Sequence, residues 1–146
     1  MKRSESLKGL SREHHQALFI AKRLRDGGEA ALEAFLEFWR NEGRVHFWIE
    51  EDVLLPGSGL PGPSQDVDVA RLLDEHLAIR RQVAAVLEGE TSDEALGELG
   101  QALTDHVRFE ERELFPRIEA ALPPEELDRL GAKLARAEAE ARHLAG

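Results

Sequence analysis

The sequence repeats one polar pattern in two places. Residues 46–56 read HFWIEEDVLLP and residues 106–116 read HVRFEERELFP, so five of the eleven positions are identical. A Glu-His pair stands upstream of each segment, at residues 13–14 and 75–76. The two upstream histidines are 62 residues apart, and the two downstream histidines are 60 residues apart. This near-constant offset predicts two similar units, each with one lone histidine and one His-x-x-x-Glu.

Glycine and proline divide the chain into long stretches with helical periodicity. No stretch alternates apolar and polar residues in the manner of a strand, and β-branched residues are few. The chain is therefore predicted to be all-α. Five helices are expected. They cover residues 11–26 with Ser11 as the N-cap, residues 29–55, a stretch after Ser64, a stretch after Thr91 or Ser92, and residues 124–144.

Four long helices joined by short loops favour an antiparallel up-down four-helix bundle over residues 10–122. An additional C-terminal helix is expected to pack on the outside of this bundle. Pro116 is expected to end or kink the fourth helix, because proline lacks the N–H that an interior position donates. Residues 1–146 are predicted to form one domain.

Composition excludes several kinds of site and partner. The chain has no cysteine and no tyrosine, which removes disulfides, thiolate metal sites, cysteine nucleophiles and tyrosyl radicals. A net charge of −10 makes nucleic acid and anionic membranes poor partners. The basic N-terminus has no apolar stretch behind it, so a signal peptide is not predicted and a cytoplasmic location is expected. Carboxylates and six histidines remain, and they suit a hard or borderline metal ion.

The spacing of the repeated residues brings metal-ligating side chains together. Residues four apart lie one turn apart on the same helix face, so each His-x-x-x-Glu offers two ligands to one metal. The lone histidines lie on apolar helix stripes that would face a bundle interior. Burying four imidazoles and two carboxylates without a cation would be costly. The predicted metal ligands are His14, His46, Glu50, His76, His106 and Glu110.

Other polar residues near these positions have less specific interpretations. His15 lies about 100° around the helix from His14 and is expected at the edge of the apolar stripe. Glu51 and Glu111 recur in the repeat and either face solvent, support a ligand or ligate the metal themselves. The remaining residues are interpreted as surface or as support for a ligand: Glu13, Glu75 and Asp105 next to predicted ligands, Arg80 and Arg81 on a helix surface, and His143 in solvent.

These motifs resemble the haemerythrin-like (HHE cation-binding) family over residues 10–122. The resemblance rests on LSREHH at 10–15, DEH at 74–76, and the two repeated segments. It implies two non-haem iron ions, with a bridging oxo or hydroxo group, inside an antiparallel four-helix bundle. By similarity His14, His46 and Glu50 would serve one iron, and His76, His106 and Glu110 the other, with both glutamates bridging. Manganese and zinc also suit these ligands.

The resemblance implies a protein that binds or senses oxygen or another small diatomic such as nitric oxide. Oxygen-carrying members place another histidine where this chain has Arg80. Four histidines and two bridging carboxylates supply about eight of the roughly twelve bonds of two six-coordinate ions, which leaves open positions. Iron storage or donation, and ferroxidase or peroxide-consuming activity, are the alternatives at the same site. A metal-free helical interaction module is the third interpretation, and no protein partner is predicted.

Overall fold

The computed structural model describes residues 2–145, and this part of the chain is helical without strands. A short 3₁₀ turn, Glu5–Leu7, leads into helix α1, Lys8–Asp26. Helix α3 is Val67–Leu87 and helix α5 is Pro124–Ala145. Two helices contain wide π turns. Helix α2 consists of Glu29–Phe38, the π turn Trp39–Gly43, Arg44–Ile49, the π turn Glu50–Leu54 and Leu55–Gly57, and helix α4 consists of Asp93–Phe109, the π turn Glu110–Leu114 and Phe115–Ala121.

One π turn occupies the same place in each repeat and ends two residues before a proline. Each turn is closed by a backbone hydrogen bond that spans five residues and ends at the carbonyl of Glu50 or of Glu110. The wider turn allows α4 to continue through Pro116 to residue 121. The prediction offered two outcomes for Pro116, an end or a kink of the helix. The helix does not end there, so the first of them is wrong. Proline lacks only its own backbone N–H. In the register of the π turn, the carbonyl left without a backbone donor is that of Glu111.

The apolar core forms two clusters with a polar layer between them. On α1, His14 lies between Leu10 of one cluster and Ala17 of the other. On α3, His76 lies between Leu72 and Ile79 in the same way. Each histidine therefore takes a core position of its own helix, and the helical period brings these positions to one level of the bundle. The predicted all-α bundle with an added helix is confirmed.

Helix α5 packs outside the four long helices. Its Leu130, Leu134 and Ala137 are buried in the second apolar cluster, against residues that include Leu7 and Leu54. The helix contacts the 3₁₀ turn at the N-terminus and the second half of α2. Within residues 2–145, no helix is both long and apolar enough to cross a membrane.

Two predicted helix starts are wrong. Helix α1 begins at Lys8, three residues before Ser11, because Ser4 accepts the Ser6 N–H and starts the preceding 3₁₀ turn. Helix α3 begins after Asp66 rather than after Ser64, because the Asp66 side chain accepts the N–H groups of residues 68 and 69. Ser92 accepts the N–H of residue 95 and caps α4, which agrees with one of the two predicted caps.

Asp66 also pairs with Arg117, and this gives a prediction for stability at low pH. Hydrogen bonds from the Arg117 guanidinium outweigh burial and hold the pKa of Asp66 at about 2. Because the folded-state pKa lies below the ordinary value of 3.8, this stabilisation is present above about pH 4 and is lost as pH falls towards 2. We expect Asp66→Ala to lower the free energy of unfolding by about 1–2 kcal/mol at pH 7, measured by urea titration.

Two further variants separate the cap from the ion pair. Asp66→Asn keeps a capping oxygen but loses the charge, so we expect a smaller loss than for Asp66→Ala. The exposed Asp128→Asn serves as the control for removing one carboxylate. The interpretation is wrong if the Asp66 variants and the wild type lose stability in parallel between pH 5 and pH 2.

Candidate metal centre

The six predicted ligand side chains converge in the polar layer of the bundle. All six are buried, and Glu50, His76 and Glu110 are fully excluded from solvent. The imidazoles form two pairs. The Nε2 atoms of His14 and His46 lie 3.1 Å apart, and those of His76 and His106 lie 3.0 Å apart. Each pair consists of the lone histidine and the His-x-x-x-Glu histidine from the same half of the chain.

The two buried carboxylates lie between the imidazole pairs. One oxygen of Glu50 is 3.0 Å from His46 Nε2, and the other is 3.0 Å from His76 Nε2. Glu110 has the same arrangement, with one oxygen 3.1 Å from His14 Nε2 and the other 2.6 Å from His106 Nε2. Each carboxylate therefore offers one oxygen to each pair. Two groups of four potential ligands result, and the donor atoms within a group all lie within 4.8 Å: His14, His46, Glu50, Glu110 and Glu50, His76, His106, Glu110.

Every imidazole donates from Nδ1 to a second carboxylate outside the cluster. Within each half of the chain, the glutamate that precedes the lone histidine accepts from the other histidine, with Glu13 3.0 Å from His46 Nδ1 and Glu75 2.7 Å from His106 Nδ1. Between the halves, the second glutamate of each His-x-x-x-Glu-Glu accepts from the opposite lone histidine. These contacts are Glu111 to His14 at 2.6 Å and Glu51 to His76 at 2.7 Å.

This network decides several of the open interpretations. Glu51 and Glu111 support imidazoles and are not free on a solvated face, because each accepts from the Nδ1 of a lone histidine. His15 and His143 are exposed, as expected. Asp105 accepts from Gln101 on the surface. The prediction that Arg80 belongs to ordinary helix surface is wrong, because its guanidinium donates to both oxygens of Glu51.

The charges of the network favour cationic occupancy of the centre. Burial lowers the pKa of His46, but Glu50 and Glu13 outweigh it and raise the pKa to about 9. Burial likewise lowers the pKa of His76, and Glu110 and Glu50 outweigh it and raise the pKa to about 10. The carboxylates respond in the opposite direction. Burial raises the pKa of Glu50, yet the neighbouring imidazoles hold it well below its usual range.

A small apolar cavity adjoins the first imidazole pair. Its volume is about 20 Å³, which is room for about one water-sized molecule. Trp39 and Phe47 line it together with His14 and His46. Gly43 faces the Trp39 indole, and a Cβ there would lie 2.8 Å from the ring. The π turn and its glycine therefore make room for the aromatic wall of this cavity.

An open groove lies on the outer side of His46, between α1, α2 and α5. It has a volume of about 310 Å³ and is lined by Glu13, Glu42 and Glu138 among other residues. Burial raises the pKa of Glu42 and of Glu138, and the charge of Glu13 raises both further. Arg142 also lines the groove, so three carboxylates and one guanidinium leave it with a net negative lining that attracts cations.

The comparisons with known proteins identify one family. A family model described as the hemerythrin HHE cation binding domain matches residues 5–118. No curated protein and no solved structure matches the chain. The matched residues contain all six side chains of the buried cluster, together with the four carboxylates that accept from their Nδ1 atoms.

Proposed function

Since this chain belongs to the hemerythrin HHE cation-binding family, we propose that the buried cluster holds two metal ions. One ion would bind between His14 and His46, and the other between His76 and His106. Glu50 and Glu110 would bridge them. The observation that carries this proposal is the placement of one oxygen of each carboxylate at each imidazole pair.

The donor atoms themselves fit a cation. When both imidazoles of a pair donate from Nδ1, their Nε2 lone pairs face each other at 3.0–3.1 Å, which is favourable only with a proton or metal ion between them. The two oxygens of Glu110 are buried and accept no well-aligned hydrogen bond from any described residue, although each lies within 3.1 Å of an imidazole Nε2. A buried carboxylate without hydrogen bonds carries a large desolvation cost, and a metal ion at each oxygen would remove it.

The spacing of the imidazoles favours an octahedral metal. Two nitrogens 3.0–3.1 Å apart, each bound at about 2.1 Å, subtend an angle of about 90° at the metal. This angle suits adjacent positions of an octahedron better than a tetrahedron, so it favours iron or manganese over a tetrahedral zinc ion. We propose iron as the resident metal. When bound, iron supplies reversible redox chemistry and open coordination positions.

The proposed ligand of the loaded centre is a small diatomic such as oxygen or nitric oxide. The protein supplies about eight of roughly twelve bonds, so positions remain open. The cavity beside His14 and His46 is apolar and has room for about one water-sized molecule. Its small volume favours a ligand no larger than a diatomic. A protein that binds or senses a diatomic needs a binding cavity of this size next to the metal.

The acidic groove favours a second function at the same site. Glu13 connects His46 Nδ1 to this groove, where two further carboxylates gather. A cation-attracting entrance beside the centre suits a protein that gains and releases iron, or that oxidises ferrous iron or consumes peroxide.

The cytoplasmic location remains a prediction from the sequence.

Anaerobic loading with ferrous iron tests the proposed function. We expect about two iron ions per wild-type chain, measured by metal analysis after desalting, and a new visible absorption band when oxygen is added. A band that reverses on removal of oxygen supports diatomic binding. Turnover of peroxide or prompt release of iron supports the second function.

His14→Ala and His15→Ala form the matched pair for this experiment, because the two histidines are adjacent and only His14 is buried. We expect His14→Ala to bind at most one iron ion and His15→Ala to bind two. Fewer than one iron ion per wild-type chain and no new band would contradict the di-iron proposal.

A further inference from the structure

Arg80 contacts two groups that hold the His76 imidazole in place. Glu51 accepts from His76 Nδ1 in the plane of the ring, and Phe47 stacks on its face with ring centres 3.7 Å apart and planes 4° apart. The Arg80 guanidinium donates to both oxygens of Glu51 at 2.6 and 3.2 Å. It also lies 5.5 Å from the centre of the Phe47 ring. One arginine therefore contacts both supports of one imidazole.

Arg3 has a related position at His14, although it comes from a different part of the chain and hydrogen-bonds the Glu111 backbone instead of the Glu111 carboxylate. Glu111 accepts from His14 Nδ1, and Phe115 stacks on the imidazole at 5.3 Å. The Arg3 guanidinium lies 3.5 Å from a Glu111 carboxylate oxygen and 5.4 Å from the centre of the Phe115 ring. It also donates to the Glu111 backbone carbonyl at 2.6 Å.

The Glu111 carbonyl needs this donor because of the π turn. The hydrogen bond that closes the turn runs from the Phe115 N–H to the Glu110 carbonyl. In the same register the Glu111 carbonyl would accept from Pro116, which has no N–H. Glu119 holds Arg3 in place for this contact, through a hydrogen bond of 2.8 Å. Arg3 thus completes the helix where the proline interrupts it.

We propose that Arg3 and Arg80 are positioning residues of the metal centre. Each sets the orientation of one imidazole by holding both its Nδ1 carboxylate and its stacked aromatic ring. A guanidinium suits this task because its planar fork binds a carboxylate through two N–H groups and its face packs on an aromatic ring. Carboxylates on Nδ1 orient a ligating histidine and raise its basicity, and the arginines keep those carboxylates in register. This inference rests on the proposed function.

The two arginines act on different metal positions. Arg80 supports His76, which belongs to the pair with His106, whereas Arg3 supports His14, which belongs to the pair with His46. Arg71 donates to Glu75 at 2.8 Å and lies 4.1 Å from the centre of the Phe109 ring, but this ring lies 6.5 Å from the His106 imidazole and is tilted, so it does not stack on it. Removing Arg3 or Arg80 should therefore weaken one metal position and leave the other nearly unchanged.

Cobalt titration of matched variants tests this inference. Co²⁺ is the probe, its affinity is measured by competition with a chelator, and its visible circular dichroism reports ligand geometry. We expect wild type to bind two Co²⁺ ions. In Arg80→Gln and in Arg3→Gln, one of the two should bind about tenfold more weakly, with a changed dichroism band. Arg80→Lys should recover part of the affinity, because lysine restores the charge but not the planar fork.

The neighbouring exposed residues give the controls. Arg81→Gln and Lys2→Gln remove a charge without contacting these supports, and both should match wild type. Arg80→Gln should weaken binding less in a Glu51→Gln background than in wild type, because only its contact with Phe47 is then left to lose. The inference is overturned if both arginine variants keep two wild-type affinities and the wild-type spectrum, or if both ions weaken equally together with the thermal stability of the metal-free chain. A wild type that takes up less than one Co²⁺ ion would overturn the proposed function and this inference with it.

Discussion

Glu110→Gln is expected to reduce metal binding to less than one ion per chain and to remove the stabilisation that metal confers. Neither oxygen of Glu110 accepts a well-aligned hydrogen bond from any described residue, and each lies at a different imidazole pair. Glutamine offers one neutral oxygen, so it cannot bridge. Saturating metal at about a thousand times its dissociation constant adds about 4 kcal/mol per site. For a chain of this length we therefore expect a metal-dependent rise of about 10 °C or more in Tm for wild type and almost none for the variant.

Glu98→Gln is the matched control, because Glu98 is an exposed glutamate on the same helix. It should bind two metal ions and show the wild-type shift in Tm. Differential scanning calorimetry with and without ferrous iron under argon gives both quantities on one sample. A Glu110→Gln protein that still shows the full metal-dependent shift would rule out a bridging role for this carboxylate.

Gly100→Ala is expected to lower the free energy of unfolding by about 2–4 kcal/mol. Helix α4 approaches α1 so closely at this position that a Cβ on Gly100 would lie 2.6 Å from the Ala21 carbonyl oxygen and 3.1 Å from Leu24 Cβ. Backbone cannot move aside as a flexible side chain can, so the two helices would have to separate. Chemical unfolding of the metal-free chain measures the loss.

Gly97→Ala should have the opposite sign. Gly97 lies one turn earlier on the same helix, and a Cβ there would meet no atom within 4 Å. Alanine is the better helix former by about 0.5–1 kcal/mol, so this variant should be more stable than wild type. Equal effects of the two substitutions would show that helix propensity, and not the approach of α1, governs both positions.

The periodicity of the sequence was sufficient to predict the helical bundle, and the repeat was sufficient to predict which polar side chains meet. His14 and His76 lie one turn from apolar residues in both directions, so their places in the core could be read from spacing alone. That the six side chains bind metal stays a prediction. The family match supports cation binding, while the metal and the diatomic ligand remain for experiment.

The π turns could not be predicted, because no local propensity marks them. Within the π turn after His46, Glu50 and Glu51 both contact imidazoles of the centre. A signal was nevertheless present. The second glutamate and the proline recur in both repeated segments, as does the glutamate before each lone histidine. Recurrence of residues that spacing assigns to the surface indicates a shared contact.

Arg3 had no such signal, because it has no counterpart at the matching position of the second repeat. Its role follows from tertiary packing, since the N-terminal 3₁₀ turn brings it to Glu111 and Glu119 at the far end of α4. Arg80 lies on a predicted helix one turn after His76, and its charge favoured a surface interpretation. Contacts of this kind depend on which helices become neighbours, and a single sequence does not specify that.

Each half of the chain is a hairpin of two long helices, α1 with α2 and α3 with α4. Each hairpin supplies a carboxylate that supports an imidazole of the other hairpin. Glu111 of the second hairpin holds His14 of the first, and Glu51 of the first holds His76 of the second. Neither hairpin alone contains the full set of contacts for either of its own imidazole pairs. The full set of contacts therefore requires both halves of the chain to be packed together, and a half-length chain would complete the set only by associating with a second half.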